Sequence, residues 1–195
     1  LSSSSAASDV YKRQVCERIR GMEGFTSYSE LPQFYIDAVI SVEDYRFENH
    51  CGIDLIAIGR AMLTDIKKHS FIQGGSTITQ QLAKNMLFTQ EKKLERKVAE
   101  VFAALELECN YSKEDIFELY VNTSYFGNGY YGVREAADGY FGKTFSELSE
   151  YECAMLAGIP NAPSVYSPNA VNESTARRVE CVLSLIHISE PTRHA

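Results

Sequence analysis

The chain has 195 residues, of which 45% are apolar and 23% charged, and carries a net charge of −7 at neutral pH. That acidity argues against a general nucleic-acid binder, and the length suits one compact domain with a sizeable core. Cys16, Cys51, Cys109, Cys153 and Cys181 are odd in number and too widely spaced for a metal knuckle, and no run of about 18 apolar residues reads as a membrane span.

Both flanks stand apart from the rest. If Asp9-Val10-Tyr11-Lys12-Arg13-Gln14 is encoded GAT GTG TAT AAG AGA CAG, the complementary strand translates as Leu183-Ser184-Leu185-Ile186-His187-Ile188. Such an inverted repeat resembles the mosaic ends of transposase-made sequencing libraries, and Ser4 to Ser8 and Ser189 to Arg193 are similar to adapter arms. The expected organisation is an adapter-like flank over 1–14, a partial native domain over 15–182 and a second adapter-like flank over 183–195. The flanks carry net +1 (Lys12, Arg13 and Arg193 against Asp9 and Glu190), which leaves the 168-residue native part at −8. Few contacts are expected from them, although Leu183, Leu185, Ile186 and Ile188 could collapse onto the domain.

Within the native part, Tyr28 to Pro32 reads as a helix start, with Ser29 as cap and Pro32 in the first turn. Leu31, Tyr35, Ala38, Val39 and Val42 recur at steps of three and four, so a packed helix runs on toward Phe47 and places Glu43 near its C-terminal end. A carboxylate held partly out of water there, against the helix dipole, keeps its proton more tightly, which suits a general base or acid. A solvated Glu43-Asp44 pair is the plain alternative. His50 to Gly52 forms a break. Asp54 then caps a second helix, whose side bearing Leu55, Ile58, Met62 and Ile66 is expected to be core.

Ser70 to Ser76 contains Gly74-Gly75, a joint where backbone amides can approach a ligand. A helix from Thr79 to Leu87 carries Gln81, Lys84 and Asn85 at i, i+3 and i+4, a way of aiming donors at one anion; a polar helix start is the other reading. Glu91 to Cys109 is the clearest helix, with Leu94, Val98, Val101, Phe102 and Leu105 on one face, Arg96 and Glu100 opposite, and Lys97 at the edge. Arg96, Lys97 and Glu100 also fit a solvated salt-bridge face. Ser112 to Asp115 is a capping box for a helix through Val121, Gly127 to Gly132 is a turn, Gly142 closes a short helix, and Ser149 to Gly158 is one more before Pro160 and Pro163. With no strand alternation, the class is mainly α.

From the residues alone, three polar groups stand on an apolar helical scaffold: Glu43-Asp44 with His50, Gly74 to Asn85, and Arg96-Lys97 with Glu100. A carboxylate that removes a hydroxyl proton, with cations to neutralise a departing diphosphate, suits sugar transfer. These segments, with Glu118 to Asn122, Gly129 to Lys143 and Leu156 to Pro163, closely resemble the peptidoglycan glycosyltransferase family, the transglycosylase domains of class A penicillin-binding proteins and of monofunctional transglycosylases. The resemblance covers nearly all of residues 25–182.

The resemblance implies a lysozyme-like, two-lobed helical fold with a cleft between the lobes, the smaller lobe facing the membrane. It implies lipid II as substrate, at the extracytoplasmic face of a bacterial cell membrane, with a missing N-terminal anchor and other cell-wall synthesis proteins as partners. By that similarity Glu43 takes the proton of the acceptor 4-hydroxyl, Glu100 assists at the diphosphate or organises nearby cations, and Gln81, Lys84, Arg96 and Lys97 contact the donor. Asp44, His50, Ser76, Thr77 and Asn85 fall in the site wall, with His50 equally suited to holding the turn after Glu43. A divalent cation such as Mg2+ is implied as a helper, with no residue assigned to hold it. A lysozyme-like hydrolase or lytic transglycosylase would also use a catalytic Glu on such a scaffold but does not need the cations. An inactive precursor-binding scaffold would not need both glutamates. Glu43 and Glu100 are expected to face one cleft, with Glu43 the deeper.

Overall fold

The computed structural model describes residues 12–60, 75–87, 94–170 and 173–193. They form the helices α1 (12–20), α2 (Gln33–Glu43), α3 (55–60), α4 (Ile78–Leu87), α5 (Leu94–Asn110), α6 (Lys113–Thr123), α7 (Val133–Phe141), α8 (Glu150–Gly158), α9 (Pro163–Tyr166) and α10 (Glu173–Arg193). Among the described residues the only β pairing is a single bridge between Tyr125 and Tyr131, so the mainly α expectation holds.

Helix α6 is the hub. Ile116, Phe117, Leu119, Tyr120 and Val121 are buried and cover a little over half of its circumference, a broad inward face that several neighbours can share. Its start is the expected capping box, in which Ser112 accepts from the Asp115 amide and Asp115 accepts from that of Ser112. Near its end Asn122 clamps residue 26, accepting from the Thr26 amide at 2.9 Å and donating to the Thr26 carbonyl at 2.8 Å. Helices α2, α8 and α10 pack mutually, and α4 packs against both α5 and α6.

Several local expectations are corrected. Ser27 rather than Ser29 caps the first turn, a 3-10 turn over Tyr28–Glu30, and Pro32 is the N-cap of α2. Helix α2 stops at Glu43, four residues before Phe47, because Asp44 leaves the helical conformation to satisfy groups outside it. Asp54 does cap α3, accepting from the amides of Ile56 and Ala57 at 2.9 and 3.0 Å. The side of α3 taken as core is not buried where it is described: Leu55 is 75% exposed, and Met62 and Ile66 lie outside the described residues.

The apolar face of α5 is also turned outward. Val98 and Phe102 are 52% and 65% exposed, while the buried side carries Glu100, Ala103, Ala104 and Leu107. The small residues of that side permit close approach. A Cβ on Gly52, which sits at φ +87°, would lie 2.9 Å from the Ala104 carbonyl oxygen, so the turn after His50 lies against the α5 backbone.

The flanks make more contacts than expected wherever they are described. Residues 12–14 belong to α1, and Lys12 pairs with Glu106. Helix α10 runs through position 183 without a break, with Ile186 buried and Leu183 packed on the core. The cause is periodicity: Leu183 and Ile186 continue the inward stripe of Val179 and Val182 at helical spacing. Ending the chain after Val182 should therefore lower its stability, by about 1.5 to 3 kcal/mol for the Ile186 side chain alone, measured as a lower denaturation midpoint than that of the full chain.

Candidate active site

The end of α2 opens onto a cleft of about 870 Å³ between the α2–α10 side and the α4–α5 side. Glu43, the last helical residue, lines it with a side chain only 5% exposed. Gln81, one turn into α4, donates its amide N–H to Glu43 Oε2 at 3.0 Å, and the Arg178 guanidinium of α10 lies 3.5 Å from Oε1. Burial is the strongest influence on this carboxyl and pushes its proton affinity up. The Gln81 hydrogen bond and the Arg178 charge oppose that rise, and neighbouring Asp44 adds to it. Burial also holds the Tyr120 and Tyr35 phenols well above their usual range, with the Glu43 charge adding to both, so they flank the carboxylate as neutral groups.

Arg178 is placed by its surroundings. Its Nε donates to the Gly158 carbonyl at 3.4 Å and its guanidinium lies 5.4 Å over the Tyr166 ring. A Cβ on Gly158 would stand 3.0 Å from Arg178 Cγ, so a glycine in α8 lets this side chain pass.

Across the cleft, Glu100 has a side chain 3% exposed. Lys97 Nζ donates to its Oε2 at 3.1 Å and also to Ser76 Oγ at 2.8 Å, bridging α5 to the segment before α4. Arg96 Nε lies 3.0 Å from Oε1, an ion pair whose angle falls outside hydrogen-bond geometry. The solvated-face alternative for this trio therefore does not describe Glu100. Glu43 and Glu100 do line one cleft, and the two are nearly equal in burial, with side chains 5% and 3% exposed.

Of the predicted site residues, Asp44, Ser76, Thr77, Gln81, Lys84, Arg96 and Lys97 line the cleft together with the two glutamates. Asp44 and Thr77 spend their polar atoms on the scaffold. Asp44 Oδ2 accepts from the Ile78 amide at 2.9 Å and meets His50 Nε2 at 2.9 Å. Thr77 is the N-cap of α4: the Gln80 amide donates to its hydroxyl, the Thr77 amide donates to Gln80 Oε1, and its hydroxyl donates to the Gly52 carbonyl at 2.7 Å. His50 is absent from the cleft wall. Its Nδ1 accepts from the Gly52 amide, which puts the ring proton on Nε2 facing Asp44, so it holds the turn.

Asn85 is exposed and also outside the cleft. Thr77, Gln80, Gln81 and Lys84 form the stripe that faces it, and Asn85 sits about a quarter-turn from the middle of that stripe. The sequence reading missed Arg46, Arg60, Asn161, Tyr166 and Arg178. Arg46 was findable from its place two residues after Asp44. The available sign for Arg178 was an Arg177-Arg178 pair next to the apolar Val179 and Val182.

The described residues form no group of three or more His, Cys, Asp or Glu that could hold a metal ion. The cleft carboxylates of Glu43, Asp44 and Glu100 are each engaged by protein donors, so they do not fit a protein-held Mg2+.

Burial raises the proton affinity of Glu43 in the folded chain above its unfolded value, so its ionisation destabilises the fold as pH rises from the ordinary Glu range through the folded pKa. Glu43→Gln removes that penalty. The variant should melt higher than the parent near neutral pH, with the advantage shrinking as pH falls toward the ordinary Glu range; paired melting curves across pH check this.

A transglycosylase family model matches residues 12–187. The chain is 44% identical over 161 residues to penicillin-binding protein 1F of Bacillus subtilis (strain 168), covering 83% of this chain and 22% of that one. It is 43% identical over 182 residues to penicillin-binding protein 1A of Aquifex aeolicus (strain VF5), covering 91% and 25%. Identity to penicillin-binding protein 1A of Vibrio cholerae is 47% over 150 residues, covering 76% and 18%. The chain thus spans about a quarter or less of the length of these curated relatives. With the helical fold and the cleft motifs in place, this chain belongs to the transglycosylase family.

Proposed function

We propose that this domain is a peptidoglycan glycosyltransferase that polymerises lipid II into β-1,4-linked glycan strands and releases undecaprenyl diphosphate. The observation that carries the reading is a charge inversion. The chain as a whole is −7, yet the described cleft lining brings six cations (Arg46, Arg60, Lys84, Arg96, Lys97, Arg178) against four acids (Glu43, Asp44, Asp54, Glu100). A net positive cleft within an acidic chain suits an anionic donor. A glycan hydrolase or lytic transglycosylase has no diphosphate for these cations to serve.

In this reading Glu43 takes the proton from the acceptor sugar's 4-hydroxyl as that oxygen attacks the anomeric carbon, and the configuration inverts from α to β. Its buried setting makes it a stronger base than a solvated Glu. Arg96, Lys97 and Lys84 stabilise the negative charge that grows on the departing diphosphate, and Glu100 fixes the first two in place. Any divalent cation that takes part does so as a companion of the diphosphate, and no step runs through a protein-held metal.

A lipid-linked substrate calls for a membrane surface, which we place at the extracytoplasmic face. Among the described residues no helix is long and apolar enough to cross a membrane. What supports surface seating is the outward Val98 and Phe102 on α5, with Leu55 and Ile56 on α3, all more than half exposed. Other cell-wall synthesis proteins are the partners that fit this setting.

Glu43→Gln keeps the shape of the side chain but cannot accept the proton, so polymerisation of labelled lipid II should fall by about 10² to 10⁴ while lipid II binding survives. Lys97→Ala should weaken both turnover and binding of a sugar-diphosphate donor analogue. Parent-rate polymerisation by Glu43→Gln removes Glu43 as the base, and cleavage of finished strands with no use of lipid II replaces the transferase by the hydrolase reading. Exchanging Val98 and Phe102 together for serine should reduce co-sedimentation with phospholipid vesicles and leave turnover of detergent-dispersed lipid II near the parent rate.

A further inference from the structure

We propose that Lys113 is a positioning residue for Glu43, acting through a closed circuit of hydrogen bonds that sets α4 against the end of α2. The proposal rests on the reading of Glu43 as base. The circuit can be followed atom by atom. Asp44, next to Glu43, accepts from the Ile78 amide at 2.9 Å and from His50 Nε2 at 2.9 Å. The His50 carbonyl accepts from Lys113 Nζ at 2.7 Å, and the same ammonium donates to Glu108 Oε1 at 2.8 Å. Glu108 Oε1 also accepts from Thr79 Oγ1 at 2.6 Å, and Thr79 is the neighbour of Ile78 in the first turn of α4. The path thereby returns to Asp44.

The first turn of α4 is gripped from both sides, by Asp44 after α2 and by Glu108 on α5. Both grips meet at His50, whose ring serves one and whose carbonyl serves the other. Gln81 lies in the next turn of α4 and donates to Glu43. A shift of α4 relative to α2 therefore moves the hydrogen bond that aims the catalytic carboxylate. Lys113 completes the link between the two grips, since its ammonium binds the His50 carbonyl and Glu108 together. Its ammonium lies 4.5 Å over the Phe47 ring, which fixes the third side, and the Glu108 side chain that holds it is only 7% exposed. Neither residue lines the cleft, so an effect on turnover has to be transmitted.

The test compares Lys113→Met, which keeps the unbranched stem over Phe47 and drops the donors, with the isosteric Glu108→Gln. Both are assayed in the full chain at a temperature well below each variant's own melting point. Lys113→Met should lower kcat for lipid II polymerisation about tenfold to a hundredfold, as expected for misplacement of a reacting group by about 1 Å, with KM near the parent value. Glu108→Gln should lower kcat in the same sense and less. In a Glu43→Gln background Lys113→Met should cost little more, because the residue it positions has already been disabled. Parent kcat in both single variants overturns the proposal, as does a loss in the Glu43→Gln background equal to that in the parent, or a loss confined to KM.

A readout free of turnover separates this proposal from the reading beneath it. The ¹³C resonance of the Glu43 carboxyl should move in Lys113→Met. An unmoved resonance overturns the positioning role whether or not the parent chain polymerises lipid II, whereas a parent that ignores lipid II overturns only the base assignment.

Discussion

The structure depends on the carboxylate of Asp44. It ends one helix and begins another: leaving α2, it accepts from the first amide of α4 and from the His50 ring, at 6% exposure. The N-terminal amides of a helix lack internal partners and carry partial positive charge, so a buried carboxylate is stabilised there, and the two donors offset its desolvation. Replacing it by an apolar side chain would strand both donors away from water, at a cost of about 1 to 3 kcal/mol each. This one contact turns two consecutive acidic residues into different objects. Asp44 serves the scaffold, and Glu43, one peptide earlier and still helical, is left facing the cleft.

The second constraint is close approach of backbones. Gly52 lets the turn after His50 lie on α5 at Ala104, and Thr77 reaches back to the Gly52 carbonyl, so that turn, α4 and α5 share one junction. Helix α5 can come this near only with its small residues inward, which sends Val98 and Phe102 outward. The same rotation carries Glu100 inward, where a lone carboxylate would be costly and two cations from its own helix attend it.

This rotation also explains what the sequence could and could not convey. Several helix positions, and the caps at Ser112, Asp54 and Gly142, were legible because they act within a few residues of themselves. Periodicity showed that α5 has an apolar face, but which face meets the core depends on what it packs against. There the small side chains of Ala103 and Ala104 outweighed the larger surface of Val98 and Phe102. The same limit applied to α3, where the side carrying Leu55 was expected inside. The early end of α2 was hidden because Asp44's partner amide lies 34 residues onward. Of the site, the stretches Glu43-Asp44 and Arg96 to Glu100 were readable as chemistry. Arg178 was not, since its role arises only when α10 crosses Gly158. The flank over 183–195 shows the converse: a stretch read as foreign still continues α10, because leucine and isoleucine at the right spacing suffice to extend an apolar stripe.

The two cleft glutamates are nearly equal in burial and opposite in electrical setting, which supports the different roles proposed for them. Glu43 is held mainly by a neutral amide, with the nearest guanidinium at the outer limit of hydrogen bonding and a second carboxylate beside it, so burial prevails and its proton affinity rises. Glu100 stands between Arg96 and Lys97, each within about 3 Å, so its charge is matched on the spot. In the proposed reaction Glu43, whose proton affinity burial raises, is the group offered as proton acceptor, and Glu100, held between two cations, is offered as their organiser. The two ion pairs of Glu100 hold Arg96 and Lys97 at the cleft wall, which supports the proposed role of these cations toward a diphosphate. The proposed division of labour thus rests on what each carboxylate touches, and depth in the cleft has no part in it.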